Sequence, residues 1–217
     1  ELGGRNAEEL LGYQHGRRVL GKFHGERGMS LIELMVGIAI TAILFTLAAP
    51  GFSTWIQGTH IRTAAEAVQN GLMLARGEAV RRNSSVRFQL TDTLDNTCAL
   101  STTGTNWVVS LSDPAGLCAS APPDPADPNP PAPAIIQARA GAEGSRNALV
   151  AADQSAVVFN GLGRVTPVPA GNVNINITNP IGGACVTDPS PGPMRCLRIV
   201  VSTGGQVRMC DPAFVFS

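Results

Sequence analysis

An apolar stretch near the start of the chain constrains its fold more than any other feature. From Met29 to Ala49 the sequence carries one charged residue, Glu33. At a rise of about 1.5 Å per residue, a helix of this length spans roughly 30 Å, the thickness of the hydrocarbon core of a bilayer. The stretch therefore predicts that residues 29–50 form the transmembrane half of an N-terminal helix.

The charges before this stretch predict its orientation. Residues 1–28 are polar and contain several basic residues, and basic flanks tend to stay in the cytoplasm. We therefore expect a single-pass inner-membrane protein with a cytoplasmic N-terminus and a periplasmic C-terminal part. The alternatives are an ordinary signal peptide that is cut after Ala48-Ala49 and a plain signal anchor. Glu33 argues against both, because a carboxylate within an apolar helix is costly in lipid and marks a functional position.

The residues around Glu33 resemble a known cleavage signal. Gly28-Met29-Ser30-Leu31-Ile32-Glu33 is similar to the type IV prepilin pattern Gly-[Phe/Met]-[Ser/Thr]-Leu-Ile-Glu. The resemblance implies that residues 1–28 are a leader, that prepilin peptidase cuts between Gly28 and Met29, and that Met29 is then N-methylated. It also implies that Glu33 directs assembly by meeting the N-terminal amine of a neighbouring subunit, and that Pro50 kinks the helix.

The second half of the helix is predicted over residues 51–83. Small apolar residues recur there at helical spacing, with charged residues opposite them, which indicates an amphipathic helix that packs closely on a sheet or on other helices. Residues 69–83, QNGLMLARGEAVRRN, resemble the signature of the GspH/FimT family of minor pilins and pseudopilins. We interpret Arg76, Glu78 and Arg81 as a solvated helix face with an ion pair between residues three apart.

Beyond residue 84 the pattern changes to strands, so residues 84–217 are expected to form a periplasmic β domain. The fold class is α+β, with a long N-terminal helix packed on an antiparallel sheet or sandwich, as the resemblance to pilins also implies. Residues 119–134 are rich in proline and predict a solvated surface loop. Alternating or apolar runs predict strands near residues 86–90, 107–111, 156–159, 173–178, 197–201 and 206–209.

The five cysteines all follow the apolar stretch, which suits disulfides in an oxidising compartment. Since the number is odd, at least one thiol is unpaired or pairs between chains. Cys98 and Cys118 bracket a predicted strand and are one candidate pair. A hairpin centred near Thr203 could bring Cys196 opposite Cys210, which leaves Cys185 over or lets it replace one of these partners.

The composition argues against an enzyme. His60 is the only histidine after the leader, so a Ser/His/Asp arrangement has no obvious base, and no spacing of Cys and His predicts a metal site. No cofactor is predicted either. The formal net charge is zero, so binding of nucleic acid would need a local basic patch.

One such patch follows from the resemblance. Some FimT-type pilins take up DNA through a Gly-Arg-x-Arg element, and the matching place here reads Gly205-Gln206-Val207-Arg208. Gln206 stands where the first arginine would be. Arg195, Arg198 and Arg208 remain as candidate DNA contacts.

The resemblance implies a minor pilin-like subunit in the priming or tip complex of a type IV pilus, with other pilins, prepilin peptidase and the inner membrane as partners. Two alternatives stay open: a minor pseudopilin H of a type II secretion system, and a DNA-binding pilin for natural transformation.

Overall fold

The computed structural model describes residues 28–124, 127, 130–186 and 192–213, without the side chains of residues 49, 50 and 142. The predicted leader therefore lies outside the described residues, except for Gly28. The chain divides into two compact units, one as far as Leu44 and one from Phe45 onward.

Helix α1, Leu31–Arg82, contains both predicted halves. Residue 50 is part of this helix, and the kink at Pro50 stays a prediction. The helix ends at Arg82 because Asn83 adopts a left-handed conformation with φ 48°, which turns the chain toward the first strand.

In the first unit, α1 presents apolar side chains to its surroundings. Leu31, Ile32, Ile40 and Leu44 are all more than half exposed. Leu31–Ala48 has a mean hydropathy of 2.3 and is, among the described residues, the one helical segment that is long and apolar enough to cross a membrane.

The second unit is an α+β domain. Within its described residues, eight strands form two four-stranded antiparallel sheets, in the orders β3-β2-β1-β5 and β4-β6-β7-β8. The short helix α2 is Ala142–Ser145, and a 3-10 turn covers Pro180–Gly182. The strands are β1 Val86–Thr91, β2 Asn106–Ser110, β3 Ile135–Arg139, β4 Leu149–Ala152, β5 Ala156–Phe159, β6 Val173–Thr178, β7 Leu197–Val201 and β8 Val207–Cys210.

The buried face of α1 packs on one hydrophobic core to which both sheets contribute. Small residues on this face let the helix approach the sheets closely. A Cβ on Gly71 would lie only 2.8 Å from Phe88 Cε2, and the Phe88 and Trp107 ring centroids are 5.6 Å apart. The predicted small-residue face is thus confirmed; its buried members are Ala64, Ala67, Val68, Leu72, Ala75 and Ala79.

Strand alternation explains the inner face of the second sheet. Val173, Ile175 and Ile177 of β6 are buried, whereas Asn174 and Asn176 point to the other face. The edge strands β3 and β4 were absent from the sequence prediction. β4 has only four residues, and β3 directly follows the proline-rich loop, so neither shows a clear alternating run.

The proline-rich segment carries no helix or strand in its described residues between 119 and 134. It is less detached than predicted, because Pro122, Pro123 and Pro130 line a groove of about 340 Å³ together with Arg81 and Arg82 of α1. Its final residues, Pro133 and Ala134, are buried. The proline-rich loop is therefore exposed at its start and buried at its end.

Candidate functional site

The N-terminus of α1 is built around a capping serine. Ser30 Oγ accepts a hydrogen bond from the Glu33 backbone N–H at 3.3 Å, and Ser30 O accepts one from the Leu34 N–H at 3.1 Å. Ser30 is therefore the N-cap, and Glu33 occupies the third helical position of the pattern Ser-x-x-Glu. This cap is absent from the expectations drawn from the sequence, although the spacing of Ser30 and Glu33 fits the capping pattern.

The junction between Gly28 and Met29 lies just outside the helix. Both residues are exposed, Met29 by 70%, and α1 begins only at Leu31. A protease that needs an extended peptide therefore meets no helical hydrogen bonds at this junction.

The Glu33 carboxylate lies in the first helical turn, where the helix dipole favours negative charge. Apolar residues surround it along the helix, and it lines an open groove with Gly37 and Thr41. In lipid a carboxylate at this place is stabilised by a cation that reaches it. The arrangement is therefore suited to binding one positive group from outside the helix.

The polar face near the other end of α1 carries a three-residue ion-pair network. Glu78 Oε2 lies 2.6 Å from Arg81 Nη2 and 2.8 Å from Arg82 Nε. Hydrogen bonding by Arg81 is the main cause that lowers the pKa of Glu78, and Arg82 adds to it, while desolvation opposes both. The predicted pair of Glu78 and Arg81 is confirmed.

Arg76 does more than the sequence suggested. Its Nε donates to the Gly163 carbonyl at 3.1 Å, and it thereby ties the turn after β5 to the helix. The interpretation of Arg76 as purely solvated was incomplete, since its partner lies 87 residues away in sequence and no local pattern reveals it.

The cysteines pair differently from one expected alternative. Cys98 is bonded to Cys118, and Cys185 to Cys196, which leaves Cys210 free and exposed. The pairing of Cys196 with Cys210 is therefore wrong. The β7–β8 hairpin pairs Arg198 with Cys210, so its turn is centred on Gly204 and not on Thr203, and Cys196 lies beyond the paired residues.

Two of the three candidate DNA contacts share one face. Arg198 of β7 pairs with Cys210 of β8, and Val200 of β7 pairs with Arg208 of β8. The more buried residues of both strands alternate with these positions, so both arginines lie on the face of the sheet that points away from the core. One hydrogen-bond donor of Arg198 is already used within the domain, because its Nε donates to Asn176 Oδ1 at 2.7 Å. Arg208 is exposed, and Arg195 is exposed in the segment before β7.

The remaining candidates for chemistry have structural roles. His60 Nδ1 lies 3.1 Å from the Gly144 carbonyl, so the ring joins α1 to the α2 region. Among the described residues, no group of three or more His, Cys, Asp or Glu side chains is placed to hold a metal ion.

A capped, apolar helix start with one carboxylate, followed by an amphipathic half that packs on antiparallel sheets, defines the class of type IV pilin-like proteins. The chain belongs to the GspH family: residues 64–205 match the family model described as type II transport protein GspH. Residues 23–49 match the prokaryotic N-terminal methylation motif.

Two crystal structures of the type IV minor pilin FimU from Pseudomonas aeruginosa are similar to this chain. The two FimU structures are 16% and 14% identical in sequence to this chain. Each match covers 69% of this chain and 87% or 91% of FimU, with a TM-score of 0.44 in both cases. No curated protein sequence matches the chain.

Proposed function

We propose that this chain is a minor pilin-like structural subunit of a type IV pilus. Prepilin peptidase cuts it between Gly28 and Met29, and Met29 becomes the methylated N-terminus. Before and after this cut, the helix over residues 29–50 anchors the subunit in the inner membrane, with the β domain in the periplasm, until the subunit enters the filament. The match to the methylation motif and the exposure of both residues at the junction support this step.

The observation that carries the proposal is the single carboxylate in the exposed apolar part of α1. Glu33 is the one charged residue from Met29 to Ala49 and lies in the first helical turn. The N-terminal amine of a neighbouring processed subunit is the cation that we propose as its partner. Pairing neutralises both charges in an apolar surrounding and fixes the axial position of the incoming subunit.

The test compares Glu33→Gln with Ser30→Ala. Glu33→Gln keeps the size of the side chain and removes its charge, whereas Ser30→Ala removes the cap and keeps the carboxylate. We expect both variants to insert in the membrane, Ser30→Ala to appear in sheared filaments, and Glu33→Gln to be missing from them. Normal incorporation of Glu33→Gln would refute the role of the charge.

A second function is favoured by the description of the matched family, type II transport protein GspH. In that case the subunit is the minor pseudopilin H of a periplasmic pseudopilus. Deletion and complementation of the gene separate the two functions. Lost surface pili with normal secretion supports the pilus, whereas normal pili with exoproteins retained in the periplasm supports the secretion system.

A further inference from the structure

A groove of about 390 Å³ opens in the second unit, between α1 and the open end of the β7–β8 hairpin. Met194, Leu197 and Met209 give it an apolar lining; Met194 is buried, and the other two are partly buried against the main core. α1 contributes Gly58, where an added Cβ would meet no atom within 4 Å. The groove therefore combines an apolar lining with free space beside the helix.

Polar groups also line this groove, and they are few. Arg62, Arg195 and Asp211 are its charged residues, and the Arg62 guanidinium already pairs with Glu66 at 3.1 Å. Grooves of about 300 to 1,000 Å³ with an apolar lining and a few polar groups are typical binding sites for apolar and aromatic groups. The groove thus has the size and lining to hold an aromatic side chain.

The chain turns directly beside the groove. Asp211, the residue after β8, lines the groove, and its Oδ1 accepts a hydrogen bond from the Ala213 N–H at 2.9 Å. A bond of this kind to the backbone two residues on is the Asx turn that aspartate readily forms. Ala213 is the last described residue, and the sequence continues with Phe214-Val215-Phe216 and Ser217. The aromatic segment, residues 214–216, is therefore attached next to the groove.

The aromatic segment has the reach and the chemistry to fill the groove. One residue of extended chain advances at most about 3.6 Å, so Phe214 and Phe216 stay within about 11 and 18 Å of Asp211. The segment carries no charge, and burial of a phenylalanine ring is strongly favourable. A short tether gives it an effective concentration of about 1 mM beside the groove, which favours it over a segment of another chain.

We infer that the aromatic segment of residues 214–216 binds in the groove of its own chain, with a phenylalanine ring beside Gly58 and against the apolar lining. This inference does not rest on the proposed function, because every lining residue belongs to the second unit. The contact joins the end of β8, the edge strand of its sheet, to α1. It also covers apolar surface that the rest of the described domain leaves open.

The experiment uses the full chain in phosphatidylcholine vesicles at low protein density. The photo-crosslinker p-benzoylphenylalanine, an aromatic residue, replaces Phe214 in one variant and Phe216 in another. Irradiation joins its ketone carbon to a C–H group that it touches, and digestion with mass spectrometry locates the adduct. For at least one of the two positions, we expect the main adduct on Met194, Leu197 or Met209.

Two glycines of α1 supply a matched pair of additional variants. Gly58→Leu places a side chain in the groove, whereas Gly77→Leu adds the same side chain nineteen residues farther along the helix, where a Cβ also meets nothing within 4 Å. We expect Gly58→Leu to lower the yield of the groove adduct about fivefold or more, because two side chains overpack the groove. Gly77→Leu should leave the yield nearly unchanged.

Main adducts from both positions on lipid, on a second copy of the chain or on other parts of this chain overturn the inference. The adduct map of the chain with both glycines intact decides this, even where Gly58→Leu alters the fold. A groove adduct whose yield is the same in Gly58→Leu and Gly77→Leu overturns the inference as well, because the ring then does not occupy the space beside Gly58.

Discussion

The fit of α1 against the first sheet makes a sharp prediction at two glycines of the same helix. Gly71 faces the core, where an added Cβ would meet Phe88 Cε2 at 2.8 Å and Trp107 Cε3 at 3.2 Å. Gly77 faces outward, and a Cβ there would meet nothing within 4 Å. Alanine in place of either glycine therefore gives the same gain in helix propensity. At Gly71 the added methyl group overlaps the core, whereas at Gly77 it has free space.

The magnitude follows from two contributions. Alanine in place of glycine inside a helix stabilises by about 1 kcal/mol. Overpacking of a well-packed core destabilises by about 1 to 3 kcal/mol. Because the Phe88 ring is wedged between α1 and Trp107, it cannot move away freely. We expect Gly77→Ala to stabilise the domain by about 1 kcal/mol and Gly71→Ala to destabilise it by about 1 kcal/mol.

The assay is denaturant unfolding of the detergent-solubilised full chain with its disulfides intact, in a Trp55→Phe background so that the fluorescence of the remaining tryptophan, Trp107, reports unfolding. The difference between the two variants isolates the packing contribution, since the propensity gain is common to both. A difference of about 2 kcal/mol corresponds to about 4 to 8 °C in Tm for a domain of this size. Equal stabilisation by both substitutions would refute the claim that Gly71 sets the distance between the helix and the sheet.

Three further predictions concern thiols, pH and DNA. Alkylation of the denatured, unreduced protein should label one thiol per chain, and Cys210→Ser should abolish that label; two or more labelled thiols would contradict the pairing. The stability that the ionised Glu78 carboxylate contributes should be complete above its usual pKa of about 4.5 and should be lost as the pH falls through its lowered pKa. Glu78→Gln should therefore weaken the fall in the free energy of unfolding at acid pH. An unchanged fall would contradict the role of its arginine partners. Because Gln206 replaces an arginine and Arg198 is bonded to Asn176, we expect weak binding of duplex DNA that Arg208→Ala changes by less than about twofold. A tenfold loss would contradict this expectation and would support the DNA-binding alternative.

The sequence by itself determined the long helix and the type of each of its halves. An apolar run long enough to span a bilayer strongly predicts a helix. The recurrence of small residues over positions 64–79 predicts which face of the helix is buried, whatever element packs on it. Six of the strands were also visible, because alternation records which face of a sheet is buried. The helix end was predicted within one residue, as Asn83 readily adopts a left-handed conformation.

Only the tertiary structure decided the features that depend on distant partners. The role of Arg76 depends on Gly163, and the position of the 3-10 turn over Pro180–Gly182 depends on the bonds from Asn179 to Gln57. The partner of Cys196 depends on the register of the β7–β8 hairpin, and a shift of the turn centre by one residue is enough to change that register. Local pattern fixes what a segment forms, whereas contacts between segments far apart in sequence follow from packing, which periodicity does not record.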